Sequence, residues 1–104
     1  MAGSLTSRTL KRLRDQGYLA DVVEKWIPGA NIRRDLFGFI DVLAIKGGFV
    51  LAVQATSYSN VPARVNKISD HENLPFVRAA GWTIEVWGWH KVKNRWQVRI
   101  VDVS

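Results

Sequence analysis

A glycine pair between two apolar runs constrains the fold of this chain more than any other feature. The runs cover residues 39–45 and 50–56, and Gly47-Gly48 stands between them. Two such runs joined by two glycines predict a β-hairpin with a two-residue loop, because both loop positions of its favoured turn need a positive φ angle. In this hairpin Lys46 pairs with Phe49, and that pairing fixes the partner of every residue further along both strands.

Polar residues interrupt both apolar strands at positions that the predicted register places side by side. Asp41 falls directly opposite Gln54, and opposed side chains point to one face of a sheet with Cβ atoms ~4.5–5.5 Å apart. Thr56 lies two residues further along the same face, opposite Phe39. An acid, an amide and a hydroxyl grouped in this way suit a divalent cation that prefers oxygen ligands.

Each polar residue of this group also has a purely structural interpretation. Asp41 could form an ion pair at the end of its strand with Arg33 or Arg34. Gln54 could face solvent on a half-exposed strand. Aliphatic residues share the strand face of Gln54, however, so a polar cluster that ends an otherwise apolar face favours a site.

The composition is that of one small, basic, folded domain over residues 1–104. Hydrophobic residues make up 47% of the chain, and the formal net charge is +6. Such a domain favours polyanions, either nucleic acids or an anionic membrane surface. The absence of cysteine excludes disulfides, thiolate catalysis and cysteine-ligated zinc. With no signal peptide and no apolar stretch near the ~20 residues that span a bilayer, we expect a cytoplasmic protein without membrane contact.

Hydrophobic periodicity and turn residues predict the element order α-β-β-β-α-β-β. Ser4 is the predicted N-cap of the first helix. The predicted elements outside the central hairpin are a helix over 4–16, a strand over 19–27, a helix that starts at Pro62, breaks near Asn73 before Pro75 and restarts over 76–80, and strands over 82–89 and 96–103 joined by a basic loop at 90–95.

Basic side chains recur at helical spacing in both predicted helices, where they would contact phosphates. An ordinary solvated helix face explains the pattern on the first helix equally well. The two faces comprise Arg8, Lys11 and Arg12 on the first helix, and Arg64, Lys67 and His71 on the second. Arg33 and Arg34, which lead into the central hairpin, are further predicted DNA contacts.

The element order, with an acid and a polar cluster on strands two and three, resembles the PD-(D/E)xK nuclease superfamily, especially its small archaeal and phage-type Holliday-junction resolvases. In these enzymes the first motif acid ends an apolar strand, a position that Asp41 holds here. Their second motif is acid-x-lysine on the next strand, and here it reads Gln54-Ala55-Thr56. The resemblance implies an α/β, restriction-endonuclease-like fold with a mixed central sheet flanked by helices.

Two motif positions differ from the family pattern. Gln54 replaces a carboxylate and Thr56 replaces the lysine, so one negative ligand and one positive charge are missing. The amide oxygen of Gln54 and the carbonyl of Ala55 remain possible metal ligands. A second acid is then required, and we expect it to be Glu24 or Asp35.

The resemblance implies an endonuclease that uses Mg²⁺ or Mn²⁺ to hydrolyse phosphodiester bonds in branched or duplex DNA. Lys67 is the first candidate for the missing catalytic cation, with Arg64 and Arg34 behind it. A homodimer is expected, because symmetric cutting of a four-way junction needs two sites related by a two-fold axis. The family likeness also suggests a prokaryotic or phage-infected cell. Two alternatives stay open: an inactive nuclease fold that binds nucleic acid, and an RNA-binding domain.

Overall fold

A five-stranded mixed sheet with helices on both faces forms the centre of the computed structural model, which describes residues 3–104. The strand order is β1-β4-β5-β6-β7, and β2 and β3 pair separately. The elements are α1 (Gly3–Asp15), β1 (Leu19–Val22), β2 (Lys25–Ile27), β3 (Ile32–Arg34), β4 (Val42–Lys46), β5 (Phe49–Ser57), a 3-10 turn (Tyr58–Asn60), α2 (Val61–Ser69), α3 (Leu74–Ala79), β6 (Thr83–Val92) and β7 (Arg95–Asp102). The predicted α/β class with a mixed central sheet is thus confirmed. The side chain of Ser4, the predicted N-cap, lies outside the described residues.

The β4–β5 hairpin has the predicted register. Lys46 pairs with Phe49, and the ladder continues to Val42 opposite Val53. Gly47 and Gly48 occupy the loop with φ angles of 54° and 86°, values that residues with a Cβ rarely adopt. The next position beyond this ladder holds Asp41 and Gln54.

The predicted pairing of Phe39 with Thr56 is wrong. The β4 ladder begins only at Val42, and Phe39 lies in a turn closed by a bridge between Leu36 and Ile40. Its ring is 1% exposed, and it packs edge-on against His71 at a centroid distance of 5.2 Å. Burial of this large ring in the core outweighs continuation of the strand.

The predicted strand over 19–27 divides into two strands in different sheets. β1 pairs with β4 from Leu19 to Val22. The amide of Val23 still donates to the carbonyl of Asp41 at 2.8 Å. Here β4 has no further residue to pair with, so the chain leaves the sheet and folds into the β2–β3 hairpin. The structure therefore has two strands more than the predicted order. It also has one helix more, because α2 and α3 are separate helices.

The α2–α3 segment crosses between two parallel strands, β5 and β6. Pro62 and Pro75 each lie in the first turn of a helix, where the missing amide is tolerated. The predicted break near Asn73 is confirmed, although α3 restarts at Leu74 rather than at residue 76. Every described helix is too short or too polar to cross a bilayer.

The predicted basic loop over 90–95 is shorter than expected. β6 runs on to Val92, and only Lys93 and Asn94 form the turn before β7, with φ angles of 50° and 64°. Asparagine tolerates this left-handed conformation better than most residues, and the two-residue turn suits a tight hairpin.

Alternating side chains of the sheet build two core layers. One layer, under α1, contains Leu13, Trp87 and Trp89. The other, under α2 and α3, contains Ile68 and Val86. Trp87 and Trp89 are both buried in this core.

Candidate metal centre

Asp41 stands where the β4–β5 ladder ends, and its carboxylate continues the hydrogen bonding of the ladder. Its amide donates to the carbonyl of Val53 at 2.9 Å, the last backbone bond of the ladder. Beyond it, Oδ2 of Asp41 accepts the amide of Ala55 at 2.9 Å and Nε2 of Gln54 at 3.1 Å. The carboxylate therefore occupies the place that a backbone carbonyl would take in a longer strand. Asp41 is only 5% exposed.

Asp35 is brought beside Asp41 by the turn between them. Leu36 and Ile40 form a bridge with amide-to-carbonyl bonds of 2.9 and 3.0 Å in the two directions. Asp35 and Asp41 are the residues immediately outside this bridge. Gly38 at the turn has a φ angle of 92°, and a Cβ there would overlap the ring of His71. The turn thus requires glycine both for its φ angle and for space.

Glu24 reaches the same place through the β2–β3 hairpin. Lys25 pairs with Arg34 at the base of that hairpin, and Glu24 and Asp35 are the next residues outward. Three pairs of residues therefore each lie one position beyond the last paired residues of a chain reversal. These pairs are Glu24 with Asp35, Asp35 with Asp41, and Asp41 with Gln54. Three chain reversals assemble four residues that are far apart in the sequence.

The result is a cluster of three carboxylates. Oxygen atoms of Glu24, Asp35 and Asp41 all lie within 4.8 Å of one another. Glu24 and Asp35 are half-buried, and Asp41 is buried. Carboxylates converging at this distance provide the oxygen ligands that Mg²⁺ and Mn²⁺ prefer. The sequence left the second acid open between Glu24 and Asp35, and the structure brings both to Asp41.

Gln54 bridges two of the acids through its amide nitrogen. Nε2 lies 3.3 Å from Oδ2 of Asp35 as well as 3.1 Å from Oδ2 of Asp41. Oε1 is buried and has no hydrogen-bond partner within the described part of the chain. Rotation of the amide by a half-turn exchanges the two atoms and would direct the unpartnered oxygen to the acids. The residues present therefore fit a bound cation, which would satisfy that oxygen.

Burial raises the pKa of Asp41 from its usual value to about 8. The neighbouring carboxylate of Asp35 adds to this rise, through a shared hydrogen bond and through charge repulsion. The bonds from Gln54 and from the Ala55 amide act in the opposite direction. Without a cation, Asp41 therefore holds a proton at neutral pH, a perturbation typical of functional sites.

The other two residues of the second motif lie beside the cluster. Ala55 contacts Asp41 through its amide rather than its carbonyl. Because the N–H and C=O of one strand residue point to the same edge, the carbonyl of Ala55 also lies on the edge that β4 leaves open. Thr56 is buried on the same face as Gln54, and among the described hydrogen bonds none joins its hydroxyl to the acids.

Arg33 is the cation that contacts the carboxylates. Its Nη1 lies 3.2 Å from Oε1 of Glu24. Lys67, the first candidate from the sequence, is exposed on α2, and no described ion pair joins it to an acid. Arg34 is exposed on β3, and Arg64 is half-buried on α2. The sequence predicts Arg33 as a DNA contact or as an ion-pair partner of Asp41, and not as a partner of Glu24, because it does not indicate the division of the first strand that brings Arg33 and Glu24 together.

The basic face of α2 is shorter in the structure than the sequence predicts. The face of α2 with Arg64 and Lys67 does not extend to His71, because α2 ends at Ser69. The Nδ1 atom of His71 accepts the amide of Asn73 at 3.1 Å. Its ring packs on Phe39, so it has a structural role.

The basic residues of α1 lie on the sheet face opposite to Asp41 and Gln54. The guanidinium of Arg8 lies over Trp96 with a distance of 4.2 Å to the ring centroid, and that of Arg12 lies 5.5 Å from Trp89. Lys11 forms an exposed ion pair of 2.9 Å with Asp15. This surface is separated from the carboxylate cluster by the sheet.

No protein-family model matches the chain, and comparison with curated proteins likewise finds no match. The chemistry of the site therefore rests on the geometry of its side chains.

Proposed function

We propose that the protein is a metal-dependent DNA endonuclease of the PD-(D/E)xK type, selective for DNA structure. The observation that carries this proposal is the convergence of three carboxylates within 4.8 Å beside a buried glutamine whose oxygen has no partner. A buried acidic cluster of this kind costs free energy unless a cation or a proton neutralises it.

The order of the central strands supports a restriction-endonuclease-like fold. Strands β1, β4 and β5 form an antiparallel meander, and a helical crossover leads to β6 beside β5. The Gln-x-Thr sequence lies on β5, the strand after β4, as in the family pattern. Two features depart from the pattern. Asp41 precedes β4 instead of ending an apolar strand, and the β2–β3 hairpin, which supplies Glu24 and Asp35 at its base, is inserted before β4.

In the proposed site Glu24, Asp35, Asp41 and Gln54 hold Mg²⁺ or Mn²⁺. A bound ion would lower the pKa of a water molecule and neutralise charge on the phosphate. The Ala55 amide fixes the orientation of Asp41, so the ligand geometry is set by the backbone of β5. Arg33 provides the positive charge that the motif lysine would otherwise bring, at the transition state of phosphodiester hydrolysis.

DNA would approach the cluster along the β2–β3 hairpin. This hairpin carries Lys25, Arg33 and Arg34 directly beside the acids, and Trp26 on it is 53% exposed. Contacts of basic side chains to phosphates hold DNA without reading its sequence, which suits selection by shape. A homodimer is part of this proposal, because a branched substrate presents two equivalent strands.

The decisive experiment is cleavage of a labelled four-way junction, with a duplex of the same sequence alongside, in Mg²⁺ or Mn²⁺. We expect cleavage by the native protein and none by Asp41→Asn. Asp102→Asn is the matched control, because Asp102 is an exposed acid at the end of β7. Equal cleavage by native protein and Asp41→Asn would refute the site.

A second candidate function is DNA binding without catalysis. Two observations favour it: the motif lysine is absent, and a proton on Asp41 already relieves part of the charge repulsion. This function predicts salt-dependent binding with no cleavage in any divalent cation. It also predicts that calorimetric titration with Mn²⁺ gives the same result for the native protein and for Asp41→Asn, because no ion binds at Asp41.

A further inference from the structure

A basic cleft with aromatic walls lies on the sheet face opposite to the metal centre. It has a volume of about 470 Å³ and lies between α1 and the β6–β7 hairpin. Arg8 and Arg12 line it from α1, and Trp89, Arg95 and Trp96 line it from the strands. Basic groups exceed acidic groups in this lining, where Asp15 is the acidic member and is paired with Lys11.

Two arginines of this cleft, Arg8 and Arg12, lie over tryptophan rings. The guanidinium of Arg8 stacks over Trp96 at 4.2 Å and lies 6.0 Å from the centroid of Trp89. Trp89 itself is fixed by a hydrogen bond of 2.8 Å from its Nε1 to Oγ1 of Thr9. Such stacking orders a guanidinium before any ligand arrives, which lowers the entropic cost of binding.

These cations are not used by the metal centre or by ion pairs of the fold. The ion pairs of the described residues leave Arg8, Arg12 and Arg95 without a carboxylate partner. The Nε atom of Arg8 is buried and lacks a hydrogen-bond partner within the same residues. A buried unpartnered donor in a positively charged cleft points to an anionic ligand.

We propose that this cleft binds a single-stranded segment of nucleic acid, with phosphates at Arg8, Arg12 and Arg95 and a base or sugar against the part of Trp96 that Arg8 leaves exposed. A positive groove with aromatic side chains is the arrangement that single strands require, because unpaired bases stack while the backbone follows the charge. A duplex presents a convex backbone, which a cleft between a helix and a hairpin does not follow. The choice of nucleic acid rests on the proposed endonuclease function, but binding here needs no metal.

The test is fluorescence anisotropy of a labelled oligo-dT strand in EDTA, repeated over a series of salt concentrations. The double variant Arg12→Gln/Arg95→Gln should weaken binding about tenfold or more. It should also reduce the slope of log K against log salt by about 1.4, because each phosphate contact contributes about 0.7 for single strands. Trp96→Leu should weaken binding without changing the slope.

Lys46→Gln is the matched control, because it removes one charge at the far end of the sheet beside Gln16. It should leave the slope unchanged. Thermal unfolding of each variant confirms that it is folded, and Arg95→Gln alone replaces the double variant if that variant fails to fold.

Three results would overturn the proposal: no binding of oligo-dT, equal loss of affinity in Lys46→Gln, or equal affinity for a matched duplex. The cleavage assay of Asp41→Asn is independent of all three, since it reports only on the carboxylate cluster. A failure of the cleft and a failure of the nuclease site are therefore distinguishable.

Discussion

The amide nitrogen of Gln54 donates a hydrogen bond of 3.1 Å to the buried carboxylate of Asp41, across a strand pair that ends one residue earlier. This bond places a neutral amide where the nuclease motif has a second acid. Without a cation the amide nitrogen holds the Asp41 carboxyl group in place, and after a half-turn of the amide its oxygen can serve as a ligand. The same residue thus supports both the empty and the occupied forms of the proposed site.

The raised pKa of Asp41 predicts that stability falls as pH rises. Between the unfolded value of ~3.9 and the folded value of about 8, the folded protein keeps a proton that the unfolded chain has lost. The free energy of unfolding should therefore fall through this range, by at most about 1.4 kcal/mol per pH unit, and level off above pH 8. Urea unfolding in EDTA at several pH values measures it.

The control for this pH effect is a pair of variants. Asp41→Asn should remove most of the fall between pH 4 and 8. Asp102→Asn should retain it, because hydrogen bonds from Ser104 lower the pKa of Asp102 and its contribution changes only below pH 4. If the stability of Asp41→Asn falls with pH as much as that of the native protein, another group is responsible for the effect.

Replacing Gln54 by glutamate should strengthen metal binding. An added unit charge ~4 Å from a divalent cation is worth on the order of 2–8 kcal/mol between water-like and protein-like dielectrics, so the dissociation constant for Mn²⁺ should fall at least about tenfold. Calorimetric titration measures this constant. In EDTA the same variant should be less stable than the native protein, because one more acid joins the cluster.

Gln16→Glu is the matched control for this substitution. Gln16 is exposed in the turn after α1, far along the sheet from the carboxylates. The same chemical change there should leave the Mn²⁺ constant at its native value. A similar tightening in both variants would mean that net charge, rather than the site, governs binding.

Replacing Arg33 by glutamine should reduce catalysis more than replacing Lys67. Arg33 contacts Glu24 at 3.2 Å, so its charge lies next to the proposed reaction centre. Loss of one such electrostatic contact costs ~10²-fold in kcat. Single-turnover cleavage of saturating substrate measures it. Arg34→Gln is the neighbouring control, and it should leave kcat near the native value. A larger loss of kcat in Lys67→Gln would restore Lys67 as the catalytic cation.

Gly88 should not tolerate a side chain. A Cβ at this position would overlap Cγ2 of Val61 and lie 3.2 Å from Cα of Tyr58. Overpacking of this kind costs about 1–3 kcal/mol, so Gly88→Ala should lower the free energy of unfolding, measured by urea titration, by that amount. In Val61→Ala/Gly88→Ala the effects should be less than additive, since the first substitution removes the overlapping methyl group. Full additivity would show that the two residues do not compete for space.

The hairpin core of the fold could be predicted because its determinants are local. The glycine pair fixes the register of β4 and β5, and alternation identifies the strands on either side. Pro62 likewise indicates where α2 begins, since the first turn tolerates a missing amide, and Pro75 indicates the break before α3. The pairing of Asp41 with Gln54 follows from register alone, so the centre of the site was accessible from the sequence.

The remaining acids could only be named as alternatives, because their positions depend on non-local chain reversals. A five-residue turn at 36–40 and a separate hairpin at 25–34 bring Asp35 and Glu24 inward. The sequence does contain one signal for the turn. Gly38 lies between Phe37 and Phe39, at equal distance along the chain from Asp35 and Asp41. No comparable signal divides the strand over 19–27, where the break depends on the point at which the partner strand β4 begins. The role of Arg33 was missed for the same reason.

The two strands of the central hairpin differ in length, with five residues in β4 and nine in β5. Residue 54 therefore lies beyond the last rung of that ladder, and its replacement leaves the register between the strands unchanged. Evolution can exchange an acid for an amide there without a new fold. If the proposed function holds, gain and loss of DNA cleavage are then separate from the inheritance of the scaffold, and relatives on this scaffold can include both cutters and binders.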